Sequence, residues 1–149
     1  MPAATTPKQR IAAECARRGR HELIAGCVDL LRGRYHDVDD DLILALGGEP
    51  AAYVLTGGEG GKPGYWPRVW AARGLLYTWD PADGEAATAA IIHATSDTAW
   101  RVREMAGKVI AAHRLGDALD AIAALRDDPV PRVRAAAQRA VVALIGGEA

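Results

Sequence analysis

The sequence predicts an all-α protein, a right-handed α-solenoid of about four helical hairpins preceded by one further N-terminal helix. Three observations carry that prediction. First, a segment recurs: setting Asp97 against Asp128 also aligns Arg101 with Arg132, Val102 with Val133, Arg103 with Arg134 and Ala106 with Ala137, all at an offset of 31 residues. Second, both copies carry one amphipathic stripe, with Val133, Ala137, Ala140, Val141 and Leu144 in the later copy and Val102, Ala106, Val109, Ile110 and His113 in the earlier. That spacing puts the apolar side chains on one side of a helix. Third, each copy follows a second helical pattern, 86–94 and 118–125, dominated by alanine. Alanine favours helix and lets helices approach closely. A unit of this length made of two helices can hide its apolar face only against its neighbours.

The elements follow in order. Thr6-Pro7 reads as a cap and first residue of a helix through Ile11 and Cys15 that ends at Gly19. A second helix spans 21–31, from His21 to its stop at Gly33. The carboxylates at 37–41 suit the positive end of a helix over Leu42 to Leu46, closed by Gly47-Gly48. A short helix over 50–55 precedes the glycine-rich stretch 57–64, which breaks the rhythm and reads as a flexible insertion between repeats. Pro67 at the first helical position opens a helix reaching about Trp79. Asp80 with Pro81, Asp97, and Asp128 with Pro129 read as caps of the elements that follow. The first six residues are expected to be disordered, and the whole chain, 1–149, to be a single domain.

The Asp-x5-Arg spacing with Arg101-Val102-Arg103 and Arg132-Val133-Arg134 on Ala-rich helices resembles the short HEAT-like repeat of phycobilisome-lyase-type proteins. The resemblance is most specific over 128–141, good over 97–110 and weaker before. It implies helix pairs whose Asp and Arg residues hydrogen-bond within or between units. In the earlier unit, Arg68-Val69-Trp70 matches Arg101-Val102-Arg103 at an offset of 33. On that alignment Gly64 stands where Asp97 stands and Arg73 replaces Ala106, so the Asp–Arg pairing does not extend back. Arg73 then calls for a carboxylate partner such as Asp80 or Asp97.

Composition narrows the function. Lys and Arg total 18 against 19 Asp and Glu, which excludes the strongly basic balance of a dedicated nucleic-acid binder. No apolar run is long enough for a membrane span. The opening residues lack the character of a signal peptide, so a cytoplasmic protein with reduced Cys15 and Cys27 is expected. A phosphate-binding loop at 57–64 fails, because the motif would need glycine at Thr56 and a hydroxyl at Pro63. The Asp37, Asp39, Asp41 run opens like an EF-hand, but Leu42 and Gly48 fill the positions that need glycine and glutamate. None of His21, His36, His93 and His113 is spaced for zinc. His21-Glu22 resembles a single ligand pair of HEAT-like deoxyhypusine hydroxylases, too little for a di-iron site. No cofactor, metal or catalytic set is expected.

The remaining signal is aromatic and cationic. Trp66, Trp70 and Trp100 accompany Arg68, Arg101, Arg103, Arg132 and Arg134, and Arg68, Arg101 and Arg132 are expected to form a row across three units. Two accounts stand side by side. The tryptophans fill a core that has no phenylalanine while the arginines cover an edge, or the set lines a concave face and binds a partner. The partner would be a protein or peptide in a non-catalytic interaction. The alternatives are nucleic acid, by resemblance to HEAT-like alkylpurine DNA glycosylases, and a homodimer using Val142 and Ile145 on the last helix.

Overall fold

The computed structural model describes residues 5–146, so the expected disorder of residues 1–4 lies outside the described residues. The described chain is all helical, with nine α-helices: α1 (Pro7–Arg18), α2 (Arg20–Leu31), α3 (Asp40–Gly47), α4 (Glu49–Leu55), α5 (Trp66–Tyr77), α6 (Gly84–Ala94), α7 (Trp100–His113), α8 (Leu119–Ala124) and α9 (Pro131–Ile145). Their packing fits an α-solenoid. One layer runs α1, α3, α5, α7, α9, each packed on the next, while α2 packs on α5 and α6, α6 on α7, and α8 on α9. The short α4 leans mainly on α3 and the turn that follows it.

Local chemistry sets the ends. Thr6 Oγ1 accepts from the Gln9 backbone amide and Gln9 Oε1 accepts from the Thr6 backbone amide, a reciprocal cap that orders a residue expected to be disordered. Asp39 caps α3 by accepting from the Leu42 amide. Its carboxylate also receives both Nη1 and Nη2 of Arg18, whose Nε donates to Glu14, so α1 is tied to the start of α3. Segment 57–64 is a series of turns with a 3₁₀ turn at Gly58–Gly60 and positive φ at Gly57, Glu59, Gly60 and Gly61. Lys62 anchors it to Asp40 at 2.6 Å.

Two corrections concern helix boundaries. α5 stops at Tyr77 rather than Trp79, because Thr78 is extended and Asp80 caps a separate 3₁₀ turn at Pro81–Asp83. Asp97 and Asp128 are not helix N-caps. The caps of α7 and α9 are Ala99 and Val130, and Pro131, not Pro129, takes the first helical position. Each aspartate instead accepts from the amide two residues on, Ala99 for Asp97 and Val130 for Asp128, forming an Asx turn that aims the helix.

The core lies between the layers. α5 is its axis, burying Val69, Trp70, Ala71, Ala72 and Leu75. Close approach there depends on glycine: a Cβ on Gly74 would come within 2.7 Å of Cys27 Sγ and 2.8 Å of Leu46 Cδ2. A Cβ on Gly47 would meet the Trp70 ring at 2.5 Å. Cys27 is fully buried, which pushes its thiol up to about 12. It is a packing residue rather than a reactive one. Both cysteines are free thiols. Gly47→Ala should cost about 2 kcal/mol in a urea melt, the range of overpacking a close-packed core. Trp70→Leu, which makes room, should reduce that cost in the double variant.

Candidate functional site: a cation and aromatic ladder on the α5, α7 and α9 layer

The polar joints between successive helices of this layer come first, because they determine which side chains remain free. Arg103 on α7 grips Asp128 with two bonds, Nε to Oδ2 at 2.8 Å and Nη2 to Oδ1 at 3.2 Å. Its Nη1 donates to the carbonyls of Asp97 and Thr98 in its own preceding turn. Arg68 on α5 repeats every part of this. Nε and Nη2 bind the Asp97 carboxylate at 2.7 and 3.2 Å, and Nη1 donates to the carbonyls of Pro63 and Gly64. Arg134 on α9 likewise donates to the Asp128 carbonyl. Arg68 and Arg103 therefore each fasten their own turn to the next, while Arg134 closes only its own.

This geometry overturns the register suggested by sequence. Arg68 is the counterpart of Arg103 and Arg134, an offset of 35 rather than 33, and the buried positions agree: Val69, Trp70, Ala71, Ala72, Gly74 and Leu75 match Glu104, Met105, Ala106, Gly107, Val109 and Ile110. The Asp–Arg pairing does extend back to α5. Arg68 is not in line with Arg101 and Arg132; Trp66 is. Trp70 takes a core position and is 4% exposed. Arg73 falls in line with Lys108 and Arg139, not with Ala106.

The site residues therefore separate into three groups. Trp70 is core. Arg68 and Arg103 are consumed by their carboxylates and carbonyls, while Arg134 is exposed and held by the Asp128 carbonyl. Trp66, Trp100, Arg101 and Arg132 reach the surface at the starts of α5, α7 and α9. The Arg101 guanidinium sits 4.4 Å from the Trp100 ring, 5.5 Å from Trp66 and 5.9 Å from Tyr65, and makes no ion pair among the described residues. Arg132 covers Trp100 at 5.3 Å while its Nε donates to Glu104 at 2.8 Å. Trp66 stacks on Trp70 with centroids 6.0 Å apart. The result is a ladder: Tyr65 and Trp66, then Arg101, Trp100 and Arg132. A shallow cleft of about 400 Å³ opens beside it between α5 and α7, lined by Tyr65, Thr98, Trp100 and Arg101.

Glu104 and Arg10 were missed in the sequence. Glu104 occupies a position whose counterpart is Val69, so its pairing was invisible from α7 alone. Among the described residues Arg73 has no carboxylate partner: Asp80 faces Arg20, Asp97 holds Arg68, and Arg73 Nη2 donates to the Leu46 carbonyl. His113 is the hydrogen-bonded core edge expected of it, with Nε2 2.8 Å from the Leu75 carbonyl and its ring stacked on Trp79. No group of three metal-ligating side chains occurs among the described residues, and no described helix is long and apolar enough to cross a membrane. Comparison with protein-family models, curated proteins and solved structures returned no match.

Two carboxylates at these helix joints, Asp128 and Asp39, titrate low. Burial works against the charge on Asp128, but the Arg103 hydrogen bonds and the Val130 amide outweigh it and hold the group below the usual range. The Arg18 hydrogen bonds bring Asp39 down to about 2. A carboxyl whose folded pKa is depressed binds its proton less tightly folded than unfolded, so its contribution is complete above the unfolded value and disappears as pH falls through the folded one. Stability should therefore fall between roughly pH 4 and pH 2. Asp128→Asn should lose about 3 kcal/mol at pH 7, because Arg103 is left largely buried without its carboxylate. It should also flatten the acid limb of urea midpoints measured against pH.

Proposed function

We propose that the protein is a non-catalytic, cytoplasmic interaction module that binds an acidic protein or peptide segment along the ladder of Trp66, Trp100, Arg101 and Arg132. In this reading the helices form a right-handed, HEAT-like solenoid of about four hairpins with α1 as an extra N-terminal helix, and the α3, α5, α7, α9 layer is its concave face. The observation that carries it is Arg101, a guanidinium held between aromatic rings and, among the described residues, without a carboxylate of its own. Lys108 and Arg139 stand about two turns further along the same face, seven residues beyond Arg101 and Arg132, which adds positive charge for an acidic partner. Arginine and tryptophan in a rigid array bind with little loss of side-chain entropy.

Nucleic acid is the second reading, favoured by the alternation of guanidinium and indole, which can stack bases as readily as it can hold carboxylates. A symmetric dimer through α9, whose Val142 and Ile145 are 53% and 63% exposed, is compatible with either partner.

Titration of the protein with a fluorescent peptide of alternating glutamate and tyrosine should give saturable binding at 50 mM salt. Trp100→Ala with Arg101→Ala should weaken it at least about tenfold, equivalent to about 1.4 kcal/mol. Binding of single-stranded oligothymidine in place of the peptide would transfer the site to nucleic acid. An undiminished affinity in the double variant would remove the ladder from the interface.

A further inference from the structure

A second cavity, of about 760 Å³, lies at the other end of the same layer, bounded by α1, α3, α4 and α5. Its size is that of a small-molecule site. Arg10 from α1 and Arg73 from α5 converge on it, and among the described residues neither meets a carboxylate within ion-pair distance. Arg10 spends Nε on the Ala45 carbonyl and Nη1 on that of Thr5, leaving Nη2. Arg73 spends Nη2 on the Leu46 carbonyl, and its Nε is buried with no acceptor. Desolvation, and then the charge of Arg10, lower the Arg73 pKa, which states the same conflict in another form: two cations share a partly dry space.

The walls are shaped for this arrangement. The Arg10 guanidinium lies directly on Gly48, where a Cβ would come within 2.6 Å of Cζ, and Trp70 lies as closely on Gly47. The two adjacent glycines thus admit a cation and an indole side by side. Trp66 and Tyr53 complete an aromatic surround, and Glu49 and Glu59 line the same cavity. A buried donor without an acceptor costs about 1–3 kcal/mol. The Nε is closed to solvent and so to a ligand, but Arg73 Nη1 and Arg10 Nη2 have no acceptor among the described residues and are open to an anion in the cavity, and carboxylates along the lining repel polyanions more than a single charge.

We propose that this cavity binds a small planar organic monoanion, with its carboxylate between Arg10 and Arg73 and its ring system against Trp66 and Trp70. This site is separate from the proposed peptide ladder except for Trp66, and does not depend on it. Calorimetric titration of the full chain at matched ionic strength should show 2-naphthoate binding with one-to-one stoichiometry. The neutral 2-naphthamide should bind at least about tenfold more weakly, as should acetate and inorganic phosphate, which lack the ring. Arg73→Gln and Arg10→Gln should each lower naphthoate affinity about tenfold or more, whereas Arg101→Ala should leave it unchanged. Arg73→Met should melt no lower than the parent in the absence of ligand, as befits a cation kept for binding rather than for stability. Absence of saturable heat with naphthoate, equal binding of the amide, or indifference to both arginine substitutions would overturn the proposal. Phosphate binding as tightly as naphthoate would overturn its aromatic half. Should Arg73→Gln fail to fold, the amide comparison on the parent and the Arg10→Gln variant still decide.

Discussion

A carboxylate set two residues ahead of its helix cap, bound on one side by its own turn and on the other by a guanidinium from the neighbouring helix, is the joint on which this layer depends. Asp128 and Arg103 expose 4% and 14% of their side chains, so the pair sits where water is scarce. Such a pair returns little net stability once desolvation is subtracted. Its value lies in register. The faces that meet here are built from small residues, Ala71, Ala72, Ala106, Gly107, Ala136 and Ala137. Smooth surfaces of this kind offer few ridges to stop one helix sliding along another. A planar fork that must meet two carboxylate oxygens and the carbonyls of its own turn supplies the missing stop.

The same joint decides what the surface can do. Because Arg68 and Arg103 are turned toward carboxylates, the residues two positions earlier, Trp66 and Arg101, are turned away from them and meet each other across the α5–α7 boundary. Arg132 continues the row on α9 and leans on Glu104, a buried carboxylate that steadies it over Trp100. Cation–aromatic contacts at exposed sites contribute about 0.5–1 kcal/mol each. That is enough to fix rotamers and too little to account for the fold. The ladder is thus a consequence of the repeat rather than a cause of it.

Much of this was legible in the sequence wherever the signal is local. The helical stripes of α7 and α9, the helix start at Thr6-Pro7, the helix start among the carboxylates at 37–41 and the edge position of His113 all follow from residues within one or two turns. The α5 register was not legible, because Arg68-Val69 imitates Arg101-Val102 and the glycine-rich turns before α5 change the length of the unit. Only the partner of each guanidinium separates the two alignments. The burial of Trp70 was hidden for a related reason: it requires Gly47, which lies on another helix. The meeting of Arg10 with Arg73 joins α1 to α5 and leaves no mark in either segment alone.

The most direct test of the clamp is a pair of double-mutant cycles in urea, Arg68→Met with Asp97→Asn and Arg103→Met with Asp128→Asn, run beside a control cycle of Arg101→Met with Asp128→Asn. Coupling of about 1–3 kcal/mol in both clamp cycles and close to zero in the control is the expected result, since only residues in contact couple. Equal or larger coupling for Arg101, or none for Arg68 and Asp97, would contradict the register on which the joints and the exposed ladder both rest.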